Sequence, residues 1–568
     1  MSPNTDKDYD VCVIGSGAGA GPIISELSKA GKSVLVLEKG PWLHNNDFFK
    51  DELACCRRST YTPNLQDEQH VLEEAGYDGQ WVSEASSESG WDFWNGNVVG
   101  GASNFMSGFF YRLKPEDFRL KSEFGAIDGA NVVDWPISYD EMEPYYSKVE
   151  TEVGISGRVV AHKFQEPRSR EDFPYPPTLE HPVVKIIDHA CEQLNLSSLP
   201  TPRAILSRPA NGRNSCEYSG YCGSYGCSSG AKGSARAALI DQAVASGHCE
   251  LRDNSHVYKL KSDASGKVIE ALYYDADNQP HAVSAKLFVV ACHAIETSRL
   301  LLASSGPKHP QGLGNNYQQL GKNLLFSAGG SGTGEFHYDQ LDRLSVDGVS
   351  ADALKTRGPF VNRGLQDWYF IDDKALGGRA KGGLIDFLLR HPNPISRAMS
   401  VRWNSDDNLN WGDALKRDLK STFSSAQDLR FEVFNDWLPT DDCFVSLDNK
   451  VKDKYGHAVA KVRLGYHPHD LKVGQYLADK AEMVLAQMGA INIRSSVSGS
   501  PPANLVAGGC RFGNNIRSSV LDASCKVHDV DNLFVTDGSF MPTGGSVPYT
   551  WTIYANSFRV ADKIKTLL

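Results

Sequence analysis

Tyr9-Asp-Val-Cys-Val-Ile-Gly-Ser-Gly-Ala-Gly-Ala20, followed by Val34-Leu-Val-Leu-Glu-Lys-Gly40, is the stretch that decides the fold. Val11 to Ile14 is a short apolar run of the kind that forms a buried parallel strand. Gly15 and Gly17 permit a tight turn in which the backbone can approach a pyrophosphate, Gly19 lies in the same turn, and Ala20 takes the third small position. Ile23, Ile24 and Leu27 then recur at helical spacing, and Gly31 ends the helix before the second strand. Glu38 closes that strand, 23 residues after Gly15. A carboxylate there accepts both ribose hydroxyls and repels a 2′-phosphate. A lone glycine-rich match says little, but strand, turn, helix, strand and acidic end in this order predict a dinucleotide site for FAD or NAD, not NADP.

At 568 residues the chain exceeds what a single core supports, so two or three domains are expected. The net charge of −11 gives no electrostatic reason to bind nucleic acid or anionic lipid. Met1 to Asp8 is short and polar, which leaves no room for a secretory signal, and no run of about 18 apolar residues predicts a membrane span. A cytoplasmic location is the expectation. The 12 cysteines are scattered, which favours reduced thiols. Cys12, Cys249 and Cys292 lie in or beside apolar strand-like runs, as small core residues do.

After the first unit the chain reads as polar and irregular to about residue 90. It then reaches Trp91-Asp-Phe-Trp-Asn-Gly-Asn-Val-Val-Gly-Gly-Ala-Ser-Asn104, where adjacent Gly100 and Gly101 suggest backbone passing close to a ligand. A helix is predicted within 136–153, carrying Met142, Tyr145, Tyr146 and Val149. Residues 165–215 are rich in proline and polar side chains and form an excursion. Residues 249–290 read as a β-meander, and a buried strand at 287–291 enters an amphipathic helix at 294–303. Aromatic strands at Trp368-Tyr-Phe-Ile371 and Leu429-Arg-Phe-Glu-Val-Phe434 belong to a separate α+β region. The last 60 or so residues return to the opening style with Asn532-Leu-Phe-Val-Thr-Asp-Gly538.

Four pieces in order now carry a resemblance to the glucose-methanol-choline (GMC) family of FAD-dependent oxidoreductases. They are the Gly15 unit, Val98-Val-Gly-Gly-Ala-Ser103, Ala294-Ile-Glu-Thr-Ser-Arg-Leu-Leu-Leu302 and Asn532-Leu-Phe-Val-Thr-Asp-Gly-Ser539. Gly226-Cys-Ser-Ser-Gly-Ala-Lys232 and Gly508-Gly-Cys-Arg-Phe-Gly513 look most like the flavoprotein subunits of gluconate and related polyol dehydrogenases. The resemblance implies an α/β plus α+β architecture: a discontinuous, doubly wound Rossmann-like FAD-binding domain at 1–310 and 501–568, and an antiparallel-sheet substrate domain at 311–500. It implies that Gly15, Gly17, Gly19 and Glu38 hold the ADP half of FAD, that Gly100, Gly101, Ser103 and Asn104 approach the flavin and its diphosphate, and that Asp537 and Gly538 face the ribityl-phosphate region. Asp537 also fits a strand-end turn. Phe105 stands where some members attach FAD through histidine, so non-covalent FAD is expected.

The resemblance fails at the catalytic pair. Oxidising an alcohol needs a base for the hydroxyl proton, which the family supplies from a histidine and a second His or Asn. Those positions align with Leu505 and Pro548, whose side chains accept no proton. Asn504 or Tyr549 could line the pocket instead, orienting substrate or, for Tyr549, moving a proton. The base could also come from elsewhere; His467, His469 and His293 are candidates by type, although surface, capping and structural roles suit them. The third reading is different chemistry on the same fold: an FAD-dependent lyase, isomerase or decarboxylase, or a non-catalytic FAD-binding partner subunit. Cys216, Cys222 and Cys227 share one Gly/Ser-rich loop, and related sugar dehydrogenases carry a [3Fe–4S] cluster there, so a cluster is entertained beside a plain thiol-rich loop and a weaker zinc reading. The expected partner is a hydroxylated small molecule, with an electron acceptor that the sequence does not name.

Overall fold

The computed structural model describes residues 8–49, 51–52, 68–339, 346, 349–501 and 504–568, apart from 77, 92, 94, 95 and 404–406. Three positions of the Trp91 to Asn104 segment, 92, 94 and 95, and most of the stretch 50–67 therefore lie outside the described residues.

The opening run forms strand β1 (Tyr9–Ile14), which sits at the centre of a five-stranded parallel sheet. Its neighbours are β2 (Val34–Leu37) on one side and β9 (Ala285–Val290) on the other, with β5 (Cys249–Arg252) and β20 (Leu533–Val535) at the edges. Val11 lies opposite both Val34 and Leu287, and Val11, Val13, Val34 and Val36 are fully buried. Both faces of such a sheet are covered, which is why β1 reads as an unbroken apolar run and not as an alternation. Each of those side chains contributes roughly 1.5–3 kcal/mol by leaving water. β5 was expected within a meander, yet it pairs with β2 in parallel; the meander itself is β6 (His256–Ser262), β7 (Val268–Tyr274) and β8 (Pro280–Val283).

Helix Gly21–Lys29 follows the glycine turn, and helix Thr550–Lys565 packs beside it, with Lys565 Nζ donating to Glu26 at 3.0 Å. Helix Tyr139–Val149 falls within the predicted span because Ser138 and Glu141 form a capping box: the Glu141 N–H donates to Ser138 Oγ at 3.2 Å, and the Ser138 N–H donates to Glu141 at 2.8 Å. The excursion carries its own helix, Val184–Gln193.

The antiparallel sheet runs β11 (Arg363–Leu365), β14 (Gly383–Leu389), β15 (Ala426–Asp436), β10 (Leu324–His337) and β18 (Ile491–Ser496). The first residues of β10 pair separately with β19 (Val506–Gly508). Alternation along β15 divides its two faces. Leu429, Phe431 and Val433 join Val473, Leu477 and Ala481 of helix Pro468–Gln487 in one core, which leaves Arg430, Glu432 and Phe434 on the opposite face. A two-stranded ribbon, β12 (Phe370–Asp373) with β13 (Gly378–Lys381), begins two residues later than the aromatic run suggests.

The stretch read as irregular contains a hairpin, β3 (Val71–Ala75) and β4 (Trp81–Ala85). β3 extends in parallel a pair formed by β16 (Phe444–Lys452) and β17 (Ala458–Arg463), so this sheet joins segments nearly 400 residues apart. β4 is an edge strand with Val82 and Glu84 exposed, and such polar edges lack the apolar alternation that reveals a strand.

Candidate active site

One cavity of ≈ 330 Å³ starts at the carboxyl ends of β1 and β2 and reaches the exposed face of β15. Ligands of open α/β sheets bind at that edge. The glycine turn forms its floor. Gly15 has φ +87°, and a Cβ there would lie 2.4 Å from the Ala291 carbonyl oxygen, so no other residue fits the turn against β9. Gly17 has open space where its Cβ would stand, and the second glycine loop comes so near it that a Cβ on Gly101, at φ +57°, would lie 3.1 Å from the Gly17 Cα. Gly19 packs under Asp537, where a Cβ would meet the Thr536 carbonyl at 2.6 Å.

Glu38 lines the nucleotide end. Its carboxylate accepts from Ser16 Oγ at 2.5 Å and from the Gly40 N–H at 2.9 Å, and burial pushes its pKa up against those bonds. Around it stand Lys39, His256, His293, Glu296 and Arg299. Glu296 accepts from His70 at 2.9 Å and from Arg299 at 2.7 Å, and Lys39 pairs with Glu68. His293 adopts φ +80°, burial holds its ring down to about 4, and its Nδ1 has no partner among the described residues. The open space at Gly17, the carboxylate at the strand end and this unmatched buried nitrogen suit a bound dinucleotide.

The other expected binding residues divide by position. Gly101, Ser103, Asp537 and Gly538 lie on the cavity wall, whereas Gly100 and Asn104 stand behind it. Asn104 Nδ2 donates to the Val99 and Gly101 carbonyls at 3.0 Å, and Ser103 Oγ donates to the Gly100 carbonyl at 2.5 Å while accepting from the Ala235 N–H at 3.0 Å. These side chains shape the loop. Both oxygens of Asp537 are engaged, one by the backbone and hydroxyl of Ser539 and the other by Thr297, so its carboxylate holds the turn after β20. Phe105 lines the cavity and offers no nucleophile for a covalent flavin link.

At the far end the structure gathers Asn504, Leu505, Pro548 and Tyr549 with Phe434. Leu505 sits at φ +54°, a left-handed conformation that costs a side-chain-bearing residue about 1–2 kcal/mol. The Tyr549 hydroxyl donates to the Leu505 carbonyl, and burial pushes its pKa well above the phenolic range. Tyr549 therefore fixes the Leu505 turn and is poorly placed to move a proton. His467 caps helix Pro468–Gln487 and its Nε2 contacts the Asp128 carbonyl at 2.8 Å, so neither it nor His469 belongs to the cavity. His293 does belong to it, at the nucleotide end.

The residue that sequence reasoning passed over is Glu432. Its side chain lines the cavity beside Phe434, and among the described residues it has neither a hydrogen bond nor an ion pair. Burial raises its carboxyl, opposed by the Arg430 charge two residues earlier. The available signal was a carboxylate within the Phe431-Glu-Val-Phe434 run.

Cys216, Cys222 and Cys227 line a separate cavity of ≈ 120 Å³, divided from the first by the segment that carries Ser107 and Phe109. The three thiols pack against Tyr175, Ile205, Leu206 and Ala231, and Cys216 Sγ accepts from the Tyr218 N–H at 3.4 Å. Among the described residues no group of three His, Cys, Asp or Glu side chains is placed to hold a metal ion, so the structure does not support the [3Fe–4S] expectation or the zinc reading. No helix among the described residues is long and apolar enough to cross a membrane.

Profiles described as GMC oxidoreductase match residues 83–326 and 439–557. The 6'''-hydroxyparomomycin C oxidase of Streptomyces lividus is 30% identical, covering 100% of this chain and 93% of its own length. The 2-methyl-1,2-propanediol dehydrogenase of Mycolicibacterium austroafricanum is 29% identical, covering 99% and 96%. An FAD-dependent oxidoreductase from Chaetomium thermophilum superposes with a TM-score of 0.59 at 16% identity over 99% of both chains, a likeness of fold alone. Full-length similarity of this kind, together with a dinucleotide cradle opening onto an antiparallel sheet, makes the chain a member of the GMC oxidoreductase family.

Proposed function

We propose that this protein oxidises the alcohol group of a hydroxylated small molecule at an FAD held non-covalently by the glycine cradle. The observation that carries the reading is the single cavity that joins Gly15, Gly17 and Glu38 to Asn504 and the β15 wall. Bound FAD supplies the two-electron acceptor for the carbinol hydrogen. The chain's own residues hold and orient. Glu38 accepts the ribose hydroxyls, Gly101 and Ser103 pass close to the diphosphate, and Asn504 presents an amide that can both donate to and accept from a substrate hydroxyl. Phe105, Phe109 and Phe434 exclude water from the reacting end. Asp537 and Gly538 close the ribityl side. A cytoplasmic setting belongs to the same proposal.

Replacing Glu38 with Ala is expected to lower the FAD retained through purification several-fold, read as the ratio of flavin to protein absorbance; full occupancy would remove the ribose assignment. Asn504→Ala is expected to slow flavin reduction about tenfold with FAD content unchanged, the scale of one hydrogen bond of about 1–1.5 kcal/mol. An unaltered rate would take Asn504 out of the site.

The deciding experiment is anaerobic stopped-flow absorbance in the dark with an aminoglycoside bearing a primary alcohol, 2-methyl-1,2-propanediol, gluconate and a polyol as probes. Bleaching of the flavin band by one of them establishes the oxidation, and oxygen and a soluble quinone offered in parallel then identify the acceptor class. Leu505 and Pro548 favour a second reading, redox-neutral lyase, isomerase or decarboxylase chemistry. It predicts turnover with the flavin band intact.

A further inference from the structure

Of the titratable side chains lining the main cavity, most are already employed. Glu38, Lys39, His256, His293, Glu296 and Arg299 crowd the nucleotide end. Asp537 is held by Ser539 and Thr297, and Tyr549 by the Leu505 carbonyl. At the end where Leu505 and Pro548 leave no proton acceptor, Glu432 alone has a carboxylate open to the cavity and without a partner among the described residues. We infer that Glu432 is the proton acceptor for the substrate hydroxyl, so that the base has moved from the C-terminal segment to the β15 wall.

The inference rests on the proposed alcohol oxidation. In that step the O–H bond breaks and its proton passes to the Glu432 carboxylate. The carbinol C–H bond breaks with its electron pair passing to oxidised FAD, and the C–O bond becomes a carbonyl. The surroundings of Glu432 strengthen its carboxylate as a base. Burial raises its carboxyl, opposed by the charge of Arg430 on the same strand. Directly across on β14 lies Asp386, on the same face of the sheet. Asp386 accepts from Tyr111 at 2.7 Å and from Thr201 at 3.0 Å through one oxygen, while the other is buried without a partner among the described residues. Burial pushes Asp386 up to about 7, with Glu432 contributing and Arg203 opposing. Like charges directly opposite on neighbouring strands resist simultaneous ionisation, so each carboxylate favours the protonated form of the other. On the other side β10 faces Glu432 with Ser331, which carries no charge.

The test uses the FAD-loaded protein and the variants Glu432→Gln and Glu432→Asp. Difference infrared spectra between pH 5 and 9, taken without substrate, are expected to lose carboxylic C=O absorbance as pH rises, one part from Asp386 and a second part, from Glu432, that is missing in Glu432→Gln. With whichever probe bleaches the wild type, Glu432→Gln is expected to slow flavin reduction 10²–10³-fold at equal FAD content and to lose the rise in rate with pH, and Glu432→Asp to recover part of both. A Glu432→Gln protein that bleaches at the wild-type rate, or that keeps the same pH profile, overturns the inference. If no probe bleaches the wild type, the alcohol-oxidation reading has failed separately; an infrared spectrum in which Glu432 stays ionised down to pH 5 would still overturn its assignment as a base.

Discussion

Gly15→Ala is expected to yield a colourless protein that has lost more than nine-tenths of its FAD. Alanine at φ +87° costs about 1–2 kcal/mol. The added methyl, 2.4 Å from the Ala291 oxygen, adds about 1–3 kcal/mol more, because that oxygen belongs to the backbone following β9 and cannot swing aside. The Ala291 N–H donates to the Ile14 carbonyl at 2.8 Å, so relieving the overlap means opening the central strand pair just where the turn begins. Flavin-to-protein absorbance and the melting temperature with and without added FAD check this. Full occupancy at an unchanged melting temperature would show that the cradle does not hold the cofactor. Gly31→Ala, in the turn after the same helix with no atom within 4 Å of the new Cβ, serves as the control, since it carries only the conformational penalty.

Lys381→Met is expected to destabilise the fold by about 3–5 kcal/mol without touching the cavity. The Lys381 ammonium pairs with Asp117 and lies 3.5 Å from Asp436 and 4.6 Å from the centroid of the Tyr369 ring, with all three side chains buried. Methionine keeps the volume and leaves two carboxylates without their cation. Burial already holds the Asp436 carboxyl above the ordinary range, with Lys381 opposing. In the variant that opposition is gone, the folded-state pKa rises further, and the folded protein binds more protons than the unfolded chain. The loss in stability is therefore expected to grow as pH rises from 5 to 8 and to shrink toward pH 5. Denaturant midpoints at the two pH values measure it. An equal loss at both would place the damage in packing and not in charge.

What the sequence made legible follows from how each element is stabilised. β1, helix Gly21–Lys29 and β2 were readable because their constraints are local: an apolar run buried on both faces, a turn only glycine can make, and a helical stripe of Ile23, Ile24 and Leu27. The β3–β4 hairpin was not, since β3 is held by β17 across the chain and β4 shows solvent polar side chains. The same limit hid Glu432. Period-two alternation on β15 marks Leu429, Phe431 and Val433 as interior and assigns Glu432 to the opposite face, which a sequence reads as facing water. That face is instead the wall of the cavity. Tyr549 illustrates the converse: its residue type and position suggested proton transfer, and only the fold shows its hydroxyl committed to the Leu505 carbonyl. The three cysteines looked like ligands because sequence reports their proximity along the loop and not their packing against Tyr175, Ile205, Leu206 and Ala231.

The order of strands in the parallel sheet has a consequence for biosynthesis. β9 lies between β1 and β20, and the Thr536 hydroxyl donates to the Gly19 carbonyl at 2.7 Å across 517 residues of chain. Gly19, Asp537 and Gly538 come together only once the β20 segment has been made, so from the synthesis of β9 until then the nascent protein carries an open sheet edge at β9 and an incomplete cofactor cradle. Flavin capture thus waits for the β20 segment, and cellular FAD supply from that moment bears directly on how much of the newly made chain reaches the native state.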